Sequence, residues 1–221
     1  MLLAEERQAV VDGGRAMVRA GLTTGTGGNL SQICRRRGLV AISPSGLDYA
    51  VMQPADVALV DLDGLTVEGA YKPSSELGLH LALYRQRPAV GAVVHTHSVY
   101  ATTLACLGWE LPAVHYLVGF AGRKVPVAPY ATFGTDELAA NVAVTMGHHF
   151  NAVLLANHGL VAVGGNVPAA FNTAEEVEFV ARIYYQAKCA GAPVLLPDKE
   201  MDVVMEKFKT YGRTQPDVDP Q

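Results

Sequence analysis

One aliphatic run with no charge, Ala89 to Val94, passes directly into His95-Thr96-His97-Ser98. A valine-rich run of that length, apolar on both alternating faces, predicts a strand buried inside a sheet. In extended chain, residues i and i+2 point to the same side. His95 and His97 therefore aim their imidazoles at one point beyond the strand. Zinc takes neutral imidazole nitrogen and wants about four ligands in a tetrahedron, so this spacing makes half of a metal site. At this spacing alone, the alternative is two histidines that finish the strand and bond to backbone.

The composition narrows what surrounds that strand. Half the residues are hydrophobic and 17% are charged, enough apolar material for a sizeable core in one domain spanning 1–221. The net charge is -4, and the only dense basic run is Arg35-Arg36-Arg37. It is too short for a nucleic-acid groove and reads as the tip of a hairpin. No apolar run has membrane-spanning length, so no membrane partner is expected. Met1 to Arg7 is charged too early for a signal peptide. Cys34, Cys106 and Cys189 have neither disulfide nor metal spacing, which fits a reduced cytoplasm.

Along the chain, residues 4–20 predict a helix ended by Gly21. Residues 23–31 form a loop in which three glycines and three threonines occur within six residues, 23–28. Its backbone N–H groups and hydroxyls can surround an anion, although a plain connector reads the same way. Residues 29–34 and 38–43 predict a hairpin, followed by the polar turn Ser43-Pro44-Ser45-Gly46. A second hairpin, 57–62 with 65–67, turns at Asp63-Gly64. Ser74-Ser75-Glu76 then opens a helix, 77–86, where serine is an N-cap signal and the exposed N–H groups suit phosphate.

Further helices are expected over 98–107, 136–146, 168–190 and 198–209, with the first opened by Ser98 and the second capped by Thr135. Residues 112–116 read as extended, 118–122 as a small-residue loop, and 125–127, 152–156 and 160–163 as strands. Residues 212–221 read as a loose tail. This irregular alternation of helices and hairpins predicts an α/β (α+β type) single domain. Its central, largely antiparallel sheet would be covered by helices.

His158 follows a second aliphatic strand, in Asn157-His158-Gly159. With His95 and His97 it makes a plausible three-histidine site with an open fourth position, the catalytic kind. His80, His115, His148 and His149 read as structural. Glu76 is the acidic partner, able to ligate a metal or move a proton beside it; the alternative is a solvated first-turn glutamate favoured by the helix dipole.

Gly25-Thr26-Gly27-Gly28-Asn29, Ser43-Pro44-Ser45-Gly46, Pro73-Ser74-Ser75-Glu76, His95-Thr96-His97 and Asn157-His158-Gly159 together resemble the zinc-dependent class II aldolases of the L-fuculose-1-phosphate aldolase type. The resemblance continues through His115-Tyr116, Ala128 to Thr135 and Glu206 to Gly212. It implies that His95, His97 and His158 hold zinc, with manganese or cobalt as alternatives. Glu76 would complete the resting shell, then move a proton. Thr26, Gly28, Asn29, Ser45, Gly46, Ser74 and Ser75 would hold the phosphate of a dihydroxyacetone phosphate unit.

Tyr116 would serve the aldehyde oxygen in a neighbouring subunit's site. Phe133, Phe208 and Tyr211 would wall the aldehyde pocket, with Val118, Gly119 and Phe120 adding apolar character. The resemblance implies a homotetramer with sites between subunits. The expected reaction is reversible cleavage of a ketose 1-phosphate, of fuculose, 5-deoxyribulose or methylthioribulose, to dihydroxyacetone phosphate and an aldehyde. Relatives leave three alternatives: a ribulose 5-phosphate type 4-epimerase, a methylthioribulose-1-phosphate dehydratase, and a non-catalytic adducin-head module. Known epimerases carry aspartate where Glu76 stands.

Overall fold

The structure, a computed structural model, describes residues 1–210. Among these, eight strands form one sheet: β1 (Asn29–Cys34), β2 (Leu39–Ile42), β3 (Ala58–Asp61), β4 (Thr66–Glu68), β5 (Ala92–Thr96), β6 (Val127–Ala128), β7 (Ala152–Leu155) and β8 (Gly159–Gly164). Their spatial order is β4-β3-β2-β1-β5-β8-β7-β6. Every neighbouring pair is antiparallel except β6 with β7. The predicted α+β sheet is therefore observed. Tyr211 and the tail expected over 212–221 lie outside the described residues.

Among the described residues, six α-helices cover the sheet: α1 (Ala4–Arg19), α2 (Leu77–Gln86), α3 (Val99–Leu107), α4 (Asp136–Met146), α5 (Val167–Ala190) and α6 (Asp198–Phe208). Val10, Met17, Leu104 and Val177 pack with Leu30, Val94 and Ala162 in one buried layer. Leu83 and Leu138 pack with Val93, Val153 and Val161 in the other. The strands are apolar on both faces because both faces are covered. Along β5 the alternation is strict. Ala92 and Val94 enter the first layer and Val93 the second, so His95 projects on the side of α2 and α4.

Local chemistry sets the boundaries. Asn166 caps α5, its side chain accepting from Ala169 N at 2.9 Å, and Thr135 caps α4 by accepting from Leu138 N at 3.2 Å. Ser74 departs from its expected role. The N-cap of α2 is Glu76, and Ser74 Oγ accepts from Glu76 N at 3.2 Å, a turn just before the helix. β5 starts at Ala92, later than expected, because Val90 N bonds to Arg87 O in the turn that leaves α2. Residues Tyr116–Phe120 form a 3-10 turn in place of the expected extended segment and loop. His115 starts it, with Nδ1 accepting from Leu117 N at 3.3 Å.

Candidate active site

Three chain segments meet at one end of β5. β1 pairs with β5 on one side and β8 on the other, so His95 has Asn29 and Val161 as cross-strand partners. The turn from β7 to β8 is only a few residues long. It holds Asn157 at φ +54° and carries His158. Asparagine tolerates that left-handed conformation better than most residues.

Glycines let the backbones close around the histidines. A Cβ on Gly28, whose φ is +69°, would stand 2.5 Å from the His95 carbonyl oxygen. One on Gly159 would stand 2.4 Å from the Thr96 oxygen and 3.0 Å from the His97 ring. Both contacts are closer than a side chain allows, so glycine beside Asn29 and after His158 is a steric requirement.

The three rings stand edge to face or tilted, with centroids 4.8 to 5.2 Å apart. One nitrogen from each lies within 4.8 Å of the others, and His95 Nε2 and His97 Nε2 are 3.0 Å apart. Ligands about 2.0–2.1 Å from a tetrahedral zinc lie about 3.3 Å from one another, so the cluster has the right scale. Glu76 joins from the N-terminus of α2. Its Oε2 is 3.1 Å from His95 Nε2, and its Oε1 is 3.5 Å from His158 Nε2. Oε1 is buried and accepts no hydrogen bond. A buried carboxylate oxygen without a donor, facing three imidazoles, is what a cation would satisfy. The donor set therefore fits a divalent metal.

Hydrogen bonds orient these ligands. His95 Nδ1 donates to Leu160 O at 2.9 Å, leaving Nε2 as a lone pair turned to the cluster. Asn29 Nδ2 donates to Glu76 Oε2 at 2.8 Å. Burial pushes the Glu76 carboxyl up, but His95 foremost, then His158 and Asn29, pull it well below the usual carboxylate range. Burial pulls His95 down, and Glu76 more than reverses this, so its pKa is raised. Burial and the charges of His95 and His158 lower His97 to about 4, and burial and His95 lower His158. The ionised carboxylate and two neutral imidazoles are the protonation states metal ligation needs.

A cavity of about 360 Å³ opens above the cluster. Thr26, Gly28 and Asn29 line one wall, and Ser45, Gly46, Ser74 and Ser75 another. The two serine turns are tied by Ser45 N to Lys72 O and Ser74 N to Ser43 O, at 3.0 and 3.1 Å. Among the described residues, no lysine or arginine lines this cavity. Glu76, His97, His158 and Phe133 line it, while His95 is sealed beneath. Tyr130 and Asn157 also line it and were not assigned from the sequence; Tyr130 lies in the aromatic stretch leading to Phe133.

Tyr116, Phe120 and Phe208 are not part of this lining within one chain. Phe208 stacks on Phe120, centroids 4.2 Å apart, and lies 6.2 Å from Tyr116 in a separate aromatic cluster. Of the two described aromatics expected around the aldehyde, one chain brings Phe133 to the cavity, while Phe208 is drawn onto Phe120 by ring packing.

Comparison with known proteins follows the same lines. Residues 8–185 match the family Class II Aldolase and Adducin N-terminal domain. A 5-deoxy-D-ribulose 1-phosphate aldolase of Bacillus thuringiensis serovar kurstaki is 55% identical over 213 residues, covering 96% of this chain and all of that one. A 5-methylthioribulose-1-phosphate/5-deoxyribulose-1-phosphate aldolase of Rhodospirillum rubrum is 44% identical over 93% of this chain and 92% of that one. A solved L-fuculose 1-phosphate aldolase superposes with a TM-score of 0.92 at 48% identity, over 95% of this chain and 98% of that one. Fold, cluster and relatives agree: this chain belongs to the class II aldolase family and is a carbon–carbon lyase.

Proposed function

We propose that this chain interconverts a short deoxy-ketose 1-phosphate with dihydroxyacetone phosphate and an aldehyde, 5-deoxyribulose 1-phosphate being the leading substrate. The observation that carries the reading is the convergence of His95, His97, His158 and the buried Glu76 at the floor of a cavity walled by neutral hydroxyls and glycine backbone. The three imidazoles would hold a zinc ion, and Glu76 would join them as a fourth ligand in the resting state. Bound there, the ion supplies Lewis-acid stabilisation of negative charge on the ketose oxygens.

The residues do the rest. Thr26, Gly28, Asn29, Ser45, Gly46, Ser74 and Ser75 hold the phosphate through hydroxyls, the Asn29 amide and backbone N–H groups. In the condensation direction Glu76 leaves the cluster and its carboxylate removes a proton from carbon 3 of dihydroxyacetone phosphate. The electron pair left on that carbon forms the bond to the aldehyde carbon. Tyr116 of the partner subunit gives its proton to the aldehyde oxygen, which becomes the carbon 4 hydroxyl. Cleavage runs the same steps backwards. Tyr116 is 48% exposed and outside its own chain's cavity, which supports a site shared between subunits of a homotetramer.

The relatives that act on 5-deoxyribulose 1-phosphate, and the exposed Phe133 ring at the cavity, favour an aldehyde with an apolar end. Three free cysteines suit the cytoplasm, and no helix among the described residues is long and apolar enough to cross a membrane. The test is a cleavage assay on zinc-loaded protein with the 1-phosphates of 5-deoxyribulose, methylthioribulose and L-fuculose, and ribulose 5-phosphate beside them. Chelator-sensitive release of dihydroxyacetone phosphate, fastest from 5-deoxyribulose 1-phosphate, is expected. Epimerised ribulose 5-phosphate with no release from any 1-phosphate would overturn the reading.

A further inference from the structure

Behind Glu76, away from the cavity, lies a buried polar row. Glu76, His80 and Tyr84 recur every fourth residue along one side of α2, with Glu76 as its N-cap. Asn29 and Ser31 face them from alternate positions of β1. Four helical residues rise about 6 Å and two strand residues about 6.8 Å, so the two rows keep step and interdigitate. Glu76 Oε2 meets Asn29 Nδ2 at 2.8 Å, and Asn29 Oδ1 meets His80 Nε2 at 2.6 Å. His80 Nδ1 meets Ser31 Oγ at 2.7 Å, and Ser31 Oγ meets the Tyr84 hydroxyl at 2.7 Å. Ser31 and His80 are fully buried, and neither they nor Tyr84 lines the cavity.

The donor direction of every link follows from the carboxylate. An ionised carboxylate only accepts, so Asn29 must offer it the amide N–H and turn Oδ1 to His80. His80 Nε2 must then carry the proton, and its Nδ1 must accept from Ser31. The single Ser31 proton is thereby used, so Tyr84 donates to Ser31. Burial holds His80 and Tyr84 neutral: it lowers His80 to about 3, against the pull of the Glu76 charge, and raises Tyr84.

We propose that His80 is a positioning residue for Glu76, locking the Asn29 amide so that an N–H, never a carbonyl, faces the carboxylate. With His80 in its Nε2–H tautomer, a turned Asn29 would set N–H against N–H on one side and oxygen against carboxylate on the other. Without that lock the amide is free to turn, and its oxygen would repel the carboxylate oxygen that its N–H now holds at 2.8 Å, so Glu76 would lose its placement. Ser31 enforces the tautomer from a second remove, and Tyr84 fills the remaining acceptor site on Ser31. A merely structural histidine would take the same tautomer from the same neighbours, but replacing it would not slow proton exchange while zinc and KM are kept. The inference rests on the proton-transfer role given above to Glu76.

Two measurements test it. Ring-nitrogen NMR on zinc-free protein is expected to show His80 as the neutral Nε2–H tautomer, and a mixture of tautomers in Ser31→Ala. On zinc-loaded protein, exchange of the carbon 3 proton of dihydroxyacetone phosphate with solvent is followed in His80→Phe and His80→Gln. His80→Phe should keep its zinc and its KM within about twofold while kcat for exchange falls about tenfold. His80→Gln, whose amide N–H reaches toward Asn29 Oδ1, should recover to within about threefold of the native rate.

An Nδ1–H tautomer in the native protein, native exchange in His80→Phe, or a glutamine variant no better than phenylalanine would each overturn the lock. Should His80→Phe fail to fold, an unchanged tautomer in Ser31→Ala would overturn it. Glu76→Gln is run alongside. Unslowed exchange there removes the role of Glu76 itself, whereas slowed exchange there beside an unslowed His80→Phe removes only the inference.

Discussion

Asn29 and His95 are direct partners across β1 and β5, and both reach one carboxylate oxygen, Glu76 Oε2, at 2.8 and 3.1 Å. The register of the central strand pair thus sets the spacing of the site. A slip of β1 by one residue would turn Asn29 to the opposite face of the sheet and leave His95 behind. Metal affinity and strand pairing are accordingly one property here.

Removing an imidazole tests the metal assignment. His97 faces the cavity and contributes little to the core, so His97→Ala should fold normally yet lose bound zinc and activity together, activity by at least about 100-fold. Metal analysis after dialysis, beside a turnover assay, reads both. Full zinc in the variant would exclude His97 as a ligand.

A methyl group at Gly28 would meet the His95 carbonyl at 2.5 Å on a backbone already in the left-handed region. Gly28→Ala should therefore lower stability by about 1–3 kcal/mol and weaken zinc binding, although it removes no ligand. Urea denaturation and a zinc titration check the two effects. An alanine variant equal to the native protein in both would mean the backbone can relax away from His95.

Acid should weaken the zinc-free protein in a defined window. His80 keeps its neutral form in the fold down to about pH 3, whereas in the unfolded chain it takes a proton near pH 6.5. Between those values the unfolded state binds more protons, so stability rises with pH and is lost as pH falls. One such histidine contributes a slope of about 1.4 kcal/mol per pH unit. Denaturation at pH 7 and pH 5 measures it, and His80→Phe should flatten the slope by about one proton. An equal slope in both proteins would assign the acid sensitivity elsewhere.

A shared site predicts complementation. Tyr116→Phe and Glu76→Gln should each be impaired alone, yet subunits mixed by unfolding and refolding together should regain activity. In a random mixture, about one site in four combines an intact Glu76 with an intact Tyr116 from the neighbour. Turnover of the mixture against the separate variants is the readout. No gain on mixing would place both roles within one chain or remove Tyr116 from the reaction.

The sheet was largely legible because its strands are apolar runs bounded by turn residues, and its histidines follow two of those runs. Glycine beside Asn29 and after His158 was visible as a pattern, but its cause, the approach of Gly28 and Gly159 to the backbone of β5, is a contact between distant segments. Tyr116–Phe120 read as extended chain and loop because nothing local announces a 3-10 turn held by the His115 ring. His80 read as structural because its partners, Asn29 and Ser31, are about fifty residues away in sequence and meet it only after β1 and α2 pack.

Phe133 and Tyr130 are 65% and 60% exposed, on the segment between β6 and α4, while Glu76 and His95 are sealed into helix and strand. The buried charged groups are thus part of the architecture, and the exposed aromatics at the cavity are trim on its edge. Mutation can restyle that trim with little effect on the frame. Descendants of one ancestral enzyme could drift from one sugar to another while keeping the same engine, as the differing names of its relatives suggest.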